Sequence, residues 1–150
     1  MSSYISFYLK VEDKYCPLGS YSRNCSEYRF FKDFVPYEKL GPLTLDNLST
    51  IKEDVDFSIK NKEEAIKNYS NNIELIKTFN NSAEDKLQLI GQNLEVVEEF
   101  KEGLEEDNKC LTFISFLMNI LIDANYDTYA KDHGIKADNY LWAGIEVSVK

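Results

Sequence analysis

Two series of apolar residues, each repeating every seven positions, run through residues 44 to 123 and constrain the fold more than any other feature. The first series holds Leu48, Val55, Ile59, Ile66, Tyr69, Ile73 and Ile76, and the second holds Leu87, Ile90, Leu94, Val97, Leu104, Leu111 and Met118. A seven-residue repeat is typical of helices that pack along each other. Thr44 suits a helix N-cap, and Ser82 followed by Asp85 resembles a capping box. The sequence therefore predicts an antiparallel helical hairpin that turns near residues 80 to 82.

The pairing of the two series predicts which residues face each other across the hairpin. It places Ile76 opposite Leu87, Tyr69 opposite Leu94, Ile66 opposite Val97, Ile59 opposite Leu104 and Lys62 opposite Lys101. A polar layer at the two lysines would draw its neutralising carboxylate from Glu63, Glu98, Glu102 or Glu105. In the alternative, which we favour, both lysines extend to solvent. At about 1.5 Å per residue, helices of this length exceed a compact domain, so we expect the hairpin to protrude or to pack on a second copy.

Both ends of the chain show the alternation of apolar and polar residues that is typical of strands. The apolar positions are Ile5, Phe7, Leu9 and Val11 near the start, and Leu141, Ala143, Ile145, Val147 and Val149 near the end. Residues 15 to 22 form a weaker strand, and Pro17 indicates a sheet edge. The apolar residues 110 to 122 are expected to be buried against the sheet.

The predicted fold class is therefore α+β, in a single domain over residues 1–150. Its head (1–43 and 124–150) is a small antiparallel sheet built from both chain ends. Its arm (44–123) is the long protruding antiparallel helical hairpin.

Charge and composition restrict the partners of this chain. The chain has 150 residues and a net charge of −9, and residues 44 to 123 hold 8 lysines against 17 acidic residues. Nonspecific nucleic-acid binding needs clustered Lys and Arg, so we expect no direct nucleic-acid partner. The longest apolar-rich run is too short for a bilayer, which takes about 20 residues, and we expect no membrane association. The chain start shows no signal peptide, and three cysteines without metal-ligand spacing indicate free thiols in the cytoplasm.

The stretch LGSYSRNCSEYRFF, residues 18 to 31, contains both arginines of the chain. Asn24 followed by Glu27 resembles the start of a short helix over about residues 25 to 35. A strand before it would bring Ser20, Ser22 and Arg23 to the free N–H groups of the helix start, an arrangement that suits an anion. The candidate anion-binding residues are Ser20, Ser22, Arg23 and Asn24. In the alternative, Arg23 pairs with Glu27 and the serines form an exposed strand face.

Residues 95 to 107, EVVEEFKEGLEED, contain seven acidic residues and one lysine. One interpretation is a surface that imitates nucleic acid and occupies a basic groove on a partner. The alternative, which we favour, is a solvated helix face. The candidate partner-binding residues are Glu95, Glu98, Glu99, Glu102, Glu105 and Glu106.

Motifs of common catalytic sites are missing from the sequence. It has no Walker A, no G-x-G-x-x-G and no G-x-S-x-G. His133 is the only histidine, and its place before Gly134 is typical of a helix C-terminus. We therefore predict a protein without catalytic residues, metal site or cofactor.

The opening MSSYISFYLKV, the SYSR at residues 20 to 23 and the acidic hairpin that follows look like small phage- and prophage-encoded proteins without assigned function. The resemblance implies a bacterial cytoplasm and an accessory role, such as inhibition of a host system. Our first hypothesis is a non-enzymatic interaction protein that binds a basic protein partner through its acidic arm and forms a homo-oligomer through the hairpin. The second is a head that binds or sequesters an anion or nucleotide around Arg23. The third is a structural phage assembly component.

Overall fold

The fold is α+β, with one sheet that takes strands from both ends of the chain and two long helices that form a hairpin. The computed structural model describes residues 2–11, 13–79, 82–126 and 140–148. The elements are β1 (Ser2–Val11), β2 (Lys14–Ser22), α1 (Ser26–Phe31), β3 (Gly41–Pro42), α2 (Leu45–Lys77), α3 (Ala83–Tyr126) and β4 (Leu141–Ser148). The predicted fold class is confirmed for the sheet and for the hairpin, whereas His133 and Val149 lie outside the described residues.

The sheet has the order β2-β1-β4-β3, so strands from opposite ends of the chain are neighbours at its centre. In the antiparallel pair β1–β4, Ile5 lies opposite Ile145 and Phe7 lies opposite Ala143. All four side chains are buried, which confirms the predicted alternation. β2 is an edge strand, as Pro17 indicated. The two-residue strand β3 was not predicted, because so short an element carries no periodicity.

The first helix is shorter than predicted, and its predicted cap is wrong. α1 spans Ser26–Phe31 and is followed by a 3-10 turn, Lys32–Phe34, so it does not run unbroken over residues 25 to 35. Cys25 is the N-cap residue, and no side chain caps the helix. The Cys25 N–H donates to the Ser22 carbonyl at 3.0 Å. This turn places Asn24 one residue before the N-cap position, so its side chain does not cap α1.

Both long helices begin where their caps were predicted. The Asn47 N–H donates to the Thr44 hydroxyl at 3.1 Å, and the Asp85 N–H donates to the Ser82 hydroxyl at 3.2 Å. The capping hydroxyl satisfies a backbone donor that has no partner inside the helix. α2 ends at Lys77 and α3 begins at Ala83, and residues 80 and 81, where the turn was predicted, lie outside the described residues.

The chain divides into two compact units. The head unit contains residues 1–55 and 110–150, and the hairpin unit contains residues 56–109. The predicted head and arm have boundaries at residues 43/44 and 123/124, whereas the two units meet at residues 55/56 and 109/110. The predicted division stays a prediction. Within the head unit, Leu48, Ile51 and Val55 of α2 are fully buried.

The head unit has an aromatic core between its sheet and its helices. The Phe7 ring lies 4.9 Å from both the Phe31 and the Phe113 ring, in edge-to-face contacts. Such contacts are favoured between aromatic rings. Phe113 belongs to the stretch that was predicted to be buried against the sheet, but Phe116 and Ile122 of that stretch are exposed by 49% and 41%. None of the described helices has the length and apolarity needed to cross a membrane.

The hairpin unit contains a polar layer at Lys62, and Lys62 pairs with Asp107, which was not among the predicted carboxylates. The favoured alternative, in which both lysines extend to solvent, is wrong for Lys62 and agrees with Lys101, which is 57% exposed and lies 3.6 Å from Glu98. Lys62 donates at 2.7 Å to Asp107, whose side chain is fully buried. The Lys62 side chain crosses α3 at Gly103, where an added Cβ would lie 2.9 Å from Lys62 Cε. A helical side chain points toward the N-terminus of its helix, which directs Lys62 past Lys101 to Asp107.

Two predicted apolar pairs are also wrong. Leu87 and Leu94 were expected opposite Ile76 and Tyr69, yet they are 70% and 47% exposed. On α3, the residues with restricted exposure include Ile90, Asn93, Val97, Phe100, Leu104 and Asp107, at steps of three and four. Leu87 and Leu94 lie one position beyond this stripe, which rotates them about 100° away from α2.

Candidate functional site

The structure gives the four predicted anion-binding residues separate surroundings. The Ser20 hydroxyl lies 2.8 Å from the Ser6 hydroxyl, and the Ser22 hydroxyl lies 3.6 Å from the Cys25 sulfur. Arg23 and Asn24 are exposed in the turn before α1. No contact shared by these four described side chains is found, so the anion site stays a prediction.

Ser20 instead belongs to a polar face of the sheet. We call this the outer face; it is the side opposite to Ile5 and Phe7. It carries Tyr4, Ser6, Tyr8 and Lys10 from β1, Tyr15, Ser20 and Ser22 from β2, and Trp142, Gly144 and Glu146 from β4. The register brings these residues together because side chains at alternate positions share a face.

Glu146 is the centre of the hydrogen bonds on the outer face. The Tyr8 hydroxyl donates to Glu146 Oε1 at 3.1 Å, and the Ser6 hydroxyl donates to Oε2 at 3.4 Å. Tyr4 also hydrogen-bonds to this carboxylate. Carboxylates accept several hydrogen bonds at once, so one acidic side chain from β4 fixes three side chains of β1.

This carboxylate changes the acidity of its neighbours. The hydrogen bond to Glu146 and the negative charge of Glu146 raise the pKa of Tyr4 above its ordinary value. The pKa of Tyr8 is raised first by burial, while a hydrogen bond with Ser6 works in the opposite direction. Both phenols therefore remain neutral hydrogen-bond donors at physiological pH.

Three aromatic side chains stand beside this polar group on the outer face. The Tyr8 and Tyr15 rings lie 6.0 Å apart at 81°, and the Tyr15 and Trp142 rings also lie 6.0 Å apart at 81°. The Lys10 ammonium lies 4.5 Å from the Trp142 ring centroid and 5.6 Å from the Tyr15 centroid. Both distances are within the range of a cation–π interaction. We call Tyr8, Tyr15 and Trp142 the aromatic corner.

A loop between α1 and β3 crosses the outer face at Gly144. The backbone of Lys39 lies so close to Gly144 that a Cβ there would overlap its carbonyl group. Glu38, just before Lys39, has a φ of 59°, and its N–H donates to the Ile145 carbonyl at 2.7 Å. Beside the loop is an open depression of about 610 Å³, lined by Glu38, Lys39, Leu40, Glu146 and Val147.

The six predicted partner-binding glutamates are all exposed on α3. These are Glu95, Glu98, Glu99, Glu102, Glu105 and Glu106. Glu105 and Glu106 each lie within 3.7 Å of Lys109, and Glu98 pairs with Lys101. Exposed pairs of this kind contribute little to stability, so the carboxylates can exchange these lysines for another cationic group. Their exposure agrees with both a partner surface and a solvated helix face.

Large apolar side chains are also exposed in the hairpin unit. Besides Phe57, five lie around the turn of the hairpin, and we call them the turn residues: Leu75, Phe79, Leu87, Leu89 and Leu94. Their exposure ranges from 37% for Leu89 to 70% for Leu87. Leu75 lies on α2, Phe79 follows the end of α2, and the other three lie on α3. A two-helix hairpin has only one buried seam, and these side chains lie outside it.

The sequence contained signals for the features that were missed. Tyr4, Ser6, Tyr8 and Lys10 are the polar positions of the β1 alternation, so their common face could have been read from period two alone. Their association with Glu146 and Trp142 needed the β1–β4 register. In the described part of the chain, no group of metal-ligating side chains is found.

Comparison of the chain with protein-family models, with curated proteins and with solved structures found no match in any of the three.

Proposed function

We propose that this chain is a non-catalytic interaction protein that binds a protein partner through its hairpin unit. The observation that carries the proposal is the exposure of the five turn residues. Single exposed apolar side chains are ordinary on protein surfaces. Leu87 and Leu94 are seven positions apart on α3 and therefore lie on the same side of this helix, and grouped apolar exposure marks interaction sites.

The six exposed glutamates favour a partner with a basic surface. Complementary charges raise association rates and select among partners more than they add affinity. The turn residues would then supply the apolar contacts that hold the complex, while the glutamates orient it. A basic protein with an apolar groove combines both requirements.

The test is recovery of the partner from cells that express the tagged chain, with washes of rising salt concentration. Leu87→Gln with Leu94→Gln should lose the partner. Ile122→Gln, at an exposed apolar position of the head unit, is the matched control and should retain it. A partner that is retained equally by both variants would contradict the proposal.

Charge reversal tests whether the glutamates contribute to partner binding independently of the turn residues. Replacing Glu98, Glu99, Glu102 and Glu105 by lysine should weaken recovery most at low salt, because screening already weakens the wild-type attraction at high salt. Reversal of the exposed Glu53 and Asp54 in the head unit is the control. An affinity that does not change with salt would exclude the acidic face from the interface.

Self-association is a second candidate that the turn residues favour. Two hairpins that bury these side chains against each other would form a four-helix arrangement, which is a stable solution for helices with two apolar faces. Native mass spectrometry at several concentrations would detect the homo-oligomer. Its loss in the Leu87→Gln, Leu94→Gln variant would assign the turn residues to self-contact and favour an assembly component.

The resemblance to phage proteins adds to both proposals an accessory role in a bacterial cytoplasm, with inhibition of a host system as one form.

A further inference from the structure

We propose that the aromatic corner of the outer face is a binding site for a quaternary ammonium group, and that Lys10 occupies it in the absence of ligand. This site lies in the head unit and is independent of the hairpin interface. Its ligand class is set by the rings, because the negative face of an aromatic ring attracts a cation and a set of such rings encloses it.

The orientation of the rings is the first support. Tyr15 stands at 81° to both Tyr8 and Trp142, with 6.0 Å between neighbouring centroids. Both pairs are edge-to-face contacts, which are favoured between aromatic rings, so Tyr15 contacts the two other rings and the three hold each other in fixed orientations. Tyr15 is 40% exposed, so one wall of the corner is open to solvent.

The second support is a cation that already lies there. The Lys10 ammonium is 4.5 Å from the Trp142 centroid and 5.6 Å from the Tyr15 centroid. The chain itself thus shows that this space accepts a positively charged nitrogen. Lysine has a flexible stem with a strongly hydrated ammonium, so it can swing back to water when another cation enters.

Charge and hydration decide which ligand would replace it. Glu146 accepts the Tyr8 hydroxyl at 3.1 Å and places negative charge beside the corner. This charge favours a cation over an anion. A trimethylammonium group carries its charge without N–H donors, so it loses less hydration than the Lys10 ammonium when it contacts the rings.

The chain provides its own reporter for the test. Trp142 is the only tryptophan, so intrinsic tryptophan fluorescence reports on the aromatic corner alone. Titration with tetramethylammonium chloride, against sodium chloride at equal ionic strength, should give a saturable change. Lys10→Met should bind about tenfold more tightly, because no ammonium has to be displaced. Lys14→Met, at an exposed lysine of the same hairpin of strands, should bind like the wild type.

Choline and its neutral carbon isostere, in which a tert-butyl group replaces the trimethylammonium group, separate cation recognition from apolar contact. Choline should bind and the isostere should not. Choline and a peptide with a trimethylated lysine both carry a trimethylammonium group. Comparing their affinities shows whether the site prefers a small molecule or a modified protein segment. Tyr15→Leu should abolish saturation.

The proposal is overturned if neither the wild type nor Lys10→Met shows a saturable change, or if the isostere binds as well as choline. Equal affinity of the wild type and Lys10→Met would overturn the role of Lys10. These results depend on the head unit alone, so they leave the hairpin proposal to its own test.

Discussion

The buried ion pair of the hairpin unit allows a sharp prediction about stability. Asp107 is fully buried and accepts hydrogen bonds from Lys62 at 2.7 Å and from Ser58 at 2.6 Å. Lys62 is 19% exposed and also donates to Ser58 at 2.6 Å. The perturbation is Lys62→Met, which keeps an unbranched side chain up to the Cε position and removes the charged ammonium group.

The expected loss in the free energy of unfolding depends on which charged group stays buried after the substitution. In Lys62→Met the Asp107 carboxylate keeps the Ser58 hydroxyl but loses the Lys62 ammonium at 2.7 Å. Breaking a buried pair in this way typically costs about 3–5 kcal/mol. In Asp107→Asn the orphaned Lys62 is partly exposed and can reach water, so we expect a smaller cost of about 1–2 kcal/mol. The order of the two costs is the distinctive part of the prediction.

Urea denaturation followed by circular dichroism measures both changes. Lys101→Met is the matched control, because Lys101 is 57% exposed and pairs only with an exposed glutamate among the ion pairs described. A surface substitution of this kind should shift stability by at most about 0.5 kcal/mol. The double variant Lys62→Met with Asp107→Leu should recover most of the loss, since no buried charge remains. Equal costs for Lys62→Met and Lys101→Met would refute the reasoning.

Other features of the structure give further predictions. Gly144→Ala should destabilise the protein by at least about 1–3 kcal/mol, because the new Cβ overlaps the Lys39 backbone; an unchanged denaturation midpoint would contradict this close approach. Gly91→Ala should stabilise by about 0.5–1 kcal/mol, since a Cβ there meets nothing within 4 Å, and a loss of stability would argue against an open helix surface at that residue. The pKa of Tyr4 is raised from 10.0 by Glu146, so its contribution to stability is complete below pH 10.0 and is lost as pH rises through the folded-state pKa. Glu146→Gln should lower that pKa toward 10.0, which NMR of labelled tyrosine rings against pH can measure; an unchanged Tyr4 titration would remove Glu146 as the cause.

Features of the fold with local causes were predictable. The Thr44 and Ser82 caps depend on residues three positions away, and both are present. The alternation around Ile5 and Phe7 needs only the next few residues. The cap at Asn24 failed because the Ser22–Cys25 turn delayed the helix start, and competing turns of this kind are hard to separate by sequence.

Features that depend on distant residues were not predictable to the same degree. A seven-residue repeat placed Leu87 and Leu94 in the helix seam, but the packed stripe of α3 passes beside them. The repeat indicates which residues can face a partner, whereas the packing of the two helices decides which side of α3 lies in the seam, here about 100° away from the side that carries Leu87 and Leu94. The exposure of the predicted glutamates could be expected because they are charged. The exposure of the turn residues could not be expected, because they are apolar.

The sequence by itself determined that the chain ends form a sheet, that residues 44 to 123 form a helical hairpin and that the acidic charge lies on it. These properties follow from periodicity and from residue type, which act over short distances along the chain. Only the tertiary structure decided that Lys62 pairs with Asp107, that Glu146 holds the tyrosines of β1 and that Trp142 completes the aromatic corner around Lys10. Each of these contacts joins residues far apart in the chain, and strand register or helix rotation must be set before they can meet.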